Sequence, residues 1–355
     1  MANTVGIIGA GILGRLIALG AQAAGWEVSI FDRDSRDGRN SCSWVGAGMT
    51  TPWTELDKAE PVIAKMGQRS LELWPQIISS LPRPVFFQKA GSLVVAHRQD
   101  LGELEMFKSR IRPKLPEQGL MRELDGHGVA ALEPELAGRF HRGVFFPEEG
   151  QLEPRDVLPA LEDALLTAGV NWHEHTRVAE IKPHRVVTEK DVFGFDQVID
   201  ARGLAAREQN LKLRGVRGEL ARLHAPDVSF NRLVRLMHPR YPLYIIPRPN
   251  KVYLIGATSI ESEAMTPVTV KSGLELLSAL YSLHPGFAEA AILEMAVHCR
   301  PAFPDNLPQI TVAPGLISAN GLYRHGYLIS PAIAEKVVQS MMSGKPASEV
   351  QHVES

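Results

Sequence analysis

Two cysteines in 355 residues, Cys42 and Cys299, are too few for a disulfide framework. A reducing compartment is expected, with the cytoplasm as the default address and no bond between the two. The chain also lacks an excess of either charge. Its 38 basic and 40 acidic residues leave a formal net charge of −2, so no general attraction to nucleic acid or to an anionic membrane surface is expected. An unbroken apolar run is missing too. Residues 5–26 come nearest, but Gly6, Gly9, Gly11, Gly14, Gly20 and Gly25 interrupt them and Arg15 lies inside them. No charged side chain precedes them as a secretory signal requires, and no repeat or low-complexity tract is present.

What is there suits a globular enzyme: 45% hydrophobic and 22% charged residues. The length exceeds one compact core and predicts two domains with interleaved segments. The opening reads as strand (5–8), tight turn, helix to about residue 25, and second strand (28–31) ending at Asp32. Gly9, Gly11 and Gly14 sit in the turn. The first glycine permits the sharp turn, the second lets backbone approach a pyrophosphate, and the third lets helix lie close to strand. Asp32, about 18 residues after Gly14, is placed to accept from ribose hydroxyls. Dinucleotide binding follows from this constellation.

Further on, helical spacing covers residues 57–80, 155–168 and 268–284, with a last helix over 331–343. Residues 92–96 and 143–146 read as strands. Residues 177–181, 185–188 and 197–200 read as strands returning to the first domain. Strands over 219–223, 232–236, 244–246 and 252–255 alternate as an antiparallel sheet with one covered face does. A nucleotide sheet interrupted and resumed late favours FAD over NAD. So does the glycine-bearing segment 320–327 before the last helix, where a helix N-terminus can face an anionic ring.

These residues resemble the D-amino acid oxidase and sarcosine oxidase family, most of all its glycine oxidase branch of the thiamine-biosynthesis type. Beside the opening fingerprint, the likeness rests on segments 43–49, 200–203, 243–248 and 255–258, and on the arginines of Cys299-Arg300-Pro301 and Tyr323-Arg324-His325-Gly326. It implies an α/β fold: a Rossmann-like FAD-binding domain (residues 1–85, 145–215 and 295–355) and an α+β substrate domain on a mixed or antiparallel sheet (86–144 and 216–294). It also implies non-covalent FAD and a small amine or amino acid substrate such as glycine, sarcosine or a D-amino acid. Hydride transfer to flavin N5 would give an imine, then a keto acid and ammonia, with molecular oxygen or another acceptor taking the electrons. A homo-oligomer is expected by analogy.

By the same resemblance Arg300 grips the substrate carboxylate, Tyr244 adds a hydroxyl hydrogen bond, and Arg324 lies near the substrate and the flavin edge. A guanidinium suits a carboxylate because its fork matches the geometry and keeps its charge when buried. Cofactor contacts are assigned to Gly9, Gly11, Ile12, Leu13, Gly14, Asp32, Arg33, Ser43, Ala47, Gly48 and Met49. Val178, Ala201, Gly203, Gly321, His325, Gly326, Tyr327 and Leu328 complete them, with Arg300 and Arg324 themselves. Three positions depart from the family's pattern: Ser259 for a bulkier apolar residue, Pro242 for a polar one, and Arg202 for a small one. They point to a pocket wider than glycine needs. The histidines at 173 and 175 read as surface residues, and no metal is expected. A flavin monooxygenase would carry a late Gly-Asp pair, which this sequence lacks. An FAD dehydrogenase and a non-catalytic flavoprotein subunit remain as alternatives.

Overall fold

The computed structural model describes residues 2–238, 243–343 and 351–352; Pro242 lies outside the described residues. Its first sheet is built around Thr4–Ile8, flanked in parallel by Glu27–Phe31 and Gln197–Asp200. Asn171–His173 extends one side, and Leu316–Asn320, Gln309–Ala313 and Gln351–His352 the other, seven strands in all among the described residues. Val5, Ile7, Val28, Ile30 and Ile199 are almost wholly buried, as parallel strands covered on both faces require. Helices Ile12–Ala23, Pro61–Ser80, Pro154–Thr167 and Gly326–Ser343 supply the apolar residues packed with them in one core.

A separate three-stranded antiparallel sheet, Val178–Lys182, Arg185–Thr188 and Val192–Gly194, stands apart from the first sheet. Val178 and Val186 pack there with Ile8, Phe31 and Val198. Segments 177–181 and 185–188, expected as strands of the first domain, are strands that pack on it in a sheet of their own, while Gln197–Asp200 joins the first sheet itself. The physical reason is one-sided burial, since Val178–Lys182 hides mainly its first residue and serves as a cover, which alternation alone does not distinguish.

The second sheet has eight strands in the order 291–302, 214–224, 252–256, 243–248, 233–237, 92–96, 142–146, 122–125. Only Ser92–Ala96 beside Leu233–Met237 is parallel, so the sheet is mixed. Residues 145, 215 and 295 fall inside its strands. Both of its faces are covered, where one was expected. Leu223, Val234, Ile245 and Ile255 pack with Leu276 and Leu280 of helix Val270–Leu283. Leu220, Leu233, Tyr244, Ile246 and Leu254 face Val45, Ala47 and Met49 on the other side. That second face is the roof of the site.

Two helices depart from their expected limits. Pro61, at the first helical position, starts Pro61–Ser80, and residues 52–55 form a one-turn helix of their own. The last helix begins at Gly326 and carries Pro331 inside it. Proline has no N–H for the carbonyl four residues back, which is that of Tyr327. The buried Trp74 indole Nε1 donates to this carbonyl at 2.8 Å instead. We expect Trp74→Phe to lower stability to denaturant by about 1–3 kcal/mol, because a buried carbonyl loses its donor. The loss should be smaller in a Pro331→Ala background, where backbone N–H can replace the indole; an equal loss in both backgrounds would refute the coupling.

Candidate active site

The strand Thr4–Ile8 ends at Gly9, whose φ of +101° is a left-handed conformation that favours glycine. A Cβ at Gly9 would stand 2.5 Å from the Ala201 carbonyl oxygen, and one at Gly14 only 1.9 Å from that of Gly9. Turn, helix and neighbouring strand end therefore meet at backbone distance. Asp32 accepts from the Ala10 N–H at 2.6 Å and from the Asp34 N–H at 2.9 Å. A carboxylate offers about four lone-pair sites, so it keeps capacity for hydroxyls in the cavity it lines. The Ser43 hydroxyl accepts from the Ile12 N–H at 3.0 Å, and Tyr327 donates its phenol proton to the Ser43 carbonyl at 2.9 Å. Arg202 is explained by a forked pairing with Asp200, both contacts 2.9 Å.

One cavity of about 560 Å³ runs from this turn to the second sheet. Of the sequence-assigned residues, Gly9, Gly11, Ile12, Leu13, Asp32, Arg33, Ser43, Ala47, Gly48 and Met49 line it. So do Val178, Ala201, Gly203, Tyr244, Arg300, Arg324, Gly326 and Tyr327. Gly14, Gly321, His325 and Leu328 do not. Gly14 acts through helix–strand contact, and a Cβ at Gly321 would meet the Phe303 ring at 2.2 Å. Leu328 is 2% exposed and belongs to the core. Loop 45–49 is held from above by the buried Arg248, which donates to the carbonyls of Ala47 at 2.6 Å and Leu152 at 2.7 Å. Gly48, at φ +67°, has no room for a side chain, since a Cβ would lie 2.0 Å from the Leu152 oxygen.

At the far end Arg300 and Arg324 differ in what they touch. Arg324 is paired: its Nε and Nη2 donate to Glu55 Oε2 at 2.7 and 2.6 Å. His325 Nε2 lies 3.1 Å from the same oxygen, and Tyr244 donates its phenol proton to Glu55 Oε1 at 3.0 Å. Burial alone would raise the Glu55 carboxyl, but Arg324 and His325 outweigh it and hold the group well below the usual carboxylate range. Burial pushes the Tyr244 phenol up and His325 down. Glu55 was not singled out in the sequence, where the Pro52 helix start is the one local signal. Its helix is fixed by buried Glu149, which accepts from the N–H groups of Trp53 at 2.7 Å and Thr54 at 2.6 Å and from the hydroxyls of Thr54 and Ser92.

Arg300 has no carboxylate in ion-pair range among the described residues. Its Nη1 donates to the Thr258 carbonyl at 3.1 Å, and Thr258 is itself fixed by its Oγ1 donating to buried Glu219 at 3.0 Å. The other donors of the fork are left to the cavity. Gly218 makes room for it, since a Cβ there would stand 2.3 Å from Nη2. His298, also unassigned from sequence, lines the same wall with Cys42. Its Nδ1 faces the Cys299 carbonyl at 3.2 Å and its Nε2 that of Asn40 at 3.1 Å. Two carbonyl acceptors are satisfied together only by an imidazolium. Burial opposes the charge, but hydrogen bonds to Cys42 and to both carbonyls prevail and raise the group to about 9. Cys42 and Cys299 are free thiols, and His173 stacks on Phe31 at 4.4 Å.

A dinucleotide turn opening into a long cleft that ends on a buried cation describes a flavin-dependent oxidoreductase, and the close-approach backbone at Gly9 and Gly48 fits FAD. The chain belongs to the DAO family of FAD-dependent oxidoreductases, whose description it matches over residues 4–340. It is 39% identical over 346 residues to a putative thiamine biosynthesis oxidoreductase ThiO of Rhizobium etli, covering 95% of this chain and 97% of that one. A glycine oxidase of Geobacillus kaustophilus is 27% identical over 92% of this chain and 89% of its own. The crystal structure of a glycine oxidase from the same organism superposes with a TM-score of 0.85 at 24% identity, over 98% and 97% of the two chains. Among the described residues no helix is long and apolar enough to cross a membrane.

The charged His298 has a pH signature. Its folded value, about 9, lies above the ordinary 6.5, so its contribution to stability is full below pH 6.5 and is lost as pH rises through about 9. The advantage of wild type over His298→Gln in denaturant melts should be about 2 kcal/mol near neutrality and vanish above that window. A difference independent of pH would show the ring to be neutral.

Proposed function

We propose that this protein oxidises a small amino acid or amine, binding its carboxylate on Arg300. One observation carries the reading: Arg300 is a largely buried guanidinium whose only hydrogen bond among the described residues is to a backbone carbonyl, while the neighbouring Arg324 is already neutralised by Glu55. Beside Arg324, the site thus offers a guanidinium without a carboxylate partner among the described residues, the complement of one carboxylate. When bound, FAD would supply the two-electron acceptance that takes a hydride from the substrate's α-carbon, and the resulting imine would hydrolyse to a carbonyl compound and ammonia, or an amine where the substrate nitrogen is substituted.

The chain's own residues bind, orient and exclude water. The two prongs of Arg300 fix the carboxylate, and with it the direction of the α-carbon. Leu220, Ile246, Leu254 and Met49 make the surrounding wall apolar. Among the described residues no carboxylate at this end is free to act as a base, since Glu55 is held by Arg324, Tyr244 and His325. The amine therefore reacts from its neutral form. Ser259 meets Tyr323 hydroxyl to hydroxyl at 3.1 Å at the margin of the cavity, a small residue that leaves room for a substituent larger than glycine's hydrogen.

In this reading the seven-stranded sheet carries the nucleotide and the eight-stranded sheet the substrate. Oxygen takes the electrons and leaves as hydrogen peroxide, and the enzyme works in the cytoplasm, which suits its two free thiols. The relatives named for glycine oxidation and thiamine biosynthesis support the substrate class. The test is anaerobic bleaching of the purified yellow protein by glycine, sarcosine and D-amino acids. At least one should reduce the flavin, and Arg300→Ala should lower kcat/KM about thousandfold with FAD retained, as truncating a partner of a buried charge pair predicts. Equal reduction of the Arg300→Ala flavin, or no bleaching by any of these compounds in wild type, would overturn the proposal.

A further inference from the structure

Helix Val270–Leu283 turns Leu276, Ala279, Leu280 and Leu283 inward onto the second sheet. The pitch of a helix then sets Val270, Leu274, Leu277 and Tyr281 along one outward line. A surface helix normally carries polar side chains there, yet Val270 is 81% exposed, Leu274 62% and Tyr281 57%, with half-buried Leu277 between them. The apolar line continues beyond the helix. A Cβ at Gly273 would stand 3.8 Å from Met295 Cε. Met295 belongs to strand Ala291–Ala302, the outermost of its sheet, which begins with Ile292 and Leu293, both more than half exposed. The helix's other flank carries Lys271, Glu275, Ser278 and Ser282. Neither Lys271 nor Glu275 has an ion-pair partner among the described residues. Scattered apolar residues are ordinary on a protein surface, whereas a contiguous apolar face rimmed by polar residues marks a contact surface.

We propose that this face joins two copies of the chain, helix against helix in antiparallel order about a two-fold axis. Such an axis sets one surface against itself. The apolar side, with Ile292 and Leu293, meets the apolar side of the other copy. The polar flank meets its own counterpart with the direction reversed, so Lys271 comes within reach of Glu275 of the partner subunit, and Glu275 within reach of the partner subunit's Lys271. Two opposite charges, one helical turn apart and unpaired in their own chain, are what a self-complementary rim requires. A lipid surface matches less well, because a helix lying on a membrane needs an excess of basic residues on its polar flank. Here a single lysine is balanced by a glutamate. The contact lies on the face of the sheet away from the cavity, whose roof is built from Leu220, Tyr244 and Ile246 on the other face, so association leaves the FAD site of each chain untouched.

The test is sedimentation of the FAD-loaded protein at micromolar concentration. Wild type should run as an even-numbered oligomer. Leu274→Asp should halve its size at the same concentration, since a charge replaces an apolar anchor on both sides of the axis; unchanged flavin absorbance and melting temperature show that the fold is intact. Charge reversal supplies a second arm that spares the apolar core. Lys271→Glu and Glu275→Lys, each alone, set like charges against one another and should each weaken association about tenfold. Mixed in equal amounts, the two variants carry complementary flanks, and association between unlike chains should return to the wild-type strength. A partner other than a second copy would not produce that rescue. Wild type running as single chains would overturn the inference and give the face to a different partner. Leu274→Asp associating as strongly as wild type, or a mixture no stronger than its two components, would overturn it as well.

Discussion

The buried carboxylate of Glu55 gathers three donors from two distant parts of the chain: Tyr244 from the second sheet, and Arg324 and His325 from the turn before the last helix. An isolated carboxylate in this setting would shed its charge, because burial penalises the ionised form by several kcal/mol. Here the guanidinium and the two other donors reverse that preference, and the carboxylate becomes the fixed point against which the substrate end is arranged. Its position is inherited. Glu149 satisfies the first N–H groups of the one-turn helix Pro52–Glu55, so the carboxylate stands on a capped turn and not on a free loop.

Other parts of the site show the same dependence on backbone groups that would otherwise be left without partners. Pro331 withholds an N–H, and Trp74 meets the carbonyl this exposes. The residue carrying that carbonyl, Tyr327, in turn holds Ser43, whose hydroxyl occupies an N–H at the start of the nucleotide helix. Arg248 performs a similar service on loop 45–49. A chain of single hydrogen bonds thus runs from beside a proline in the last helix to the glycine-rich turn, through groups that are buried or half-buried. Each is worth about 1 kcal/mol net when made and more when broken.

How much of this was legible depends on how local its causes are. Gly9, Gly14 and Asp32 were readable because turn, helix approach and acid lie within one unit, and the strain at each glycine is a property of its own backbone. Segments 178–182 and 185–188 were readable as strands but not as members of a sheet, since alternation reports burial of a face and not the partner. Arg300 and Arg324 entered through resemblance. Glu55 did not enter, and its partners lie 189, 269 and 270 residues away. Nothing in the sequence around an acid reports donors at that separation. His298 escaped for the same reason, its second acceptor being 258 residues distant.

The two arginines make the limit concrete. As residue types in similar glycine- and proline-bearing segments they are equivalent, and both line one cavity. Their functions separate only when each N–H is followed to its acceptor. Arg324 spends its charge on Glu55, whereas Arg300 is left with a carbonyl and an open face. Moving Glu55 from one to the other would exchange their roles without altering either arginine. The specificity of the pocket therefore resides less in the cations that line it than in the single anion that decides which of them is still available.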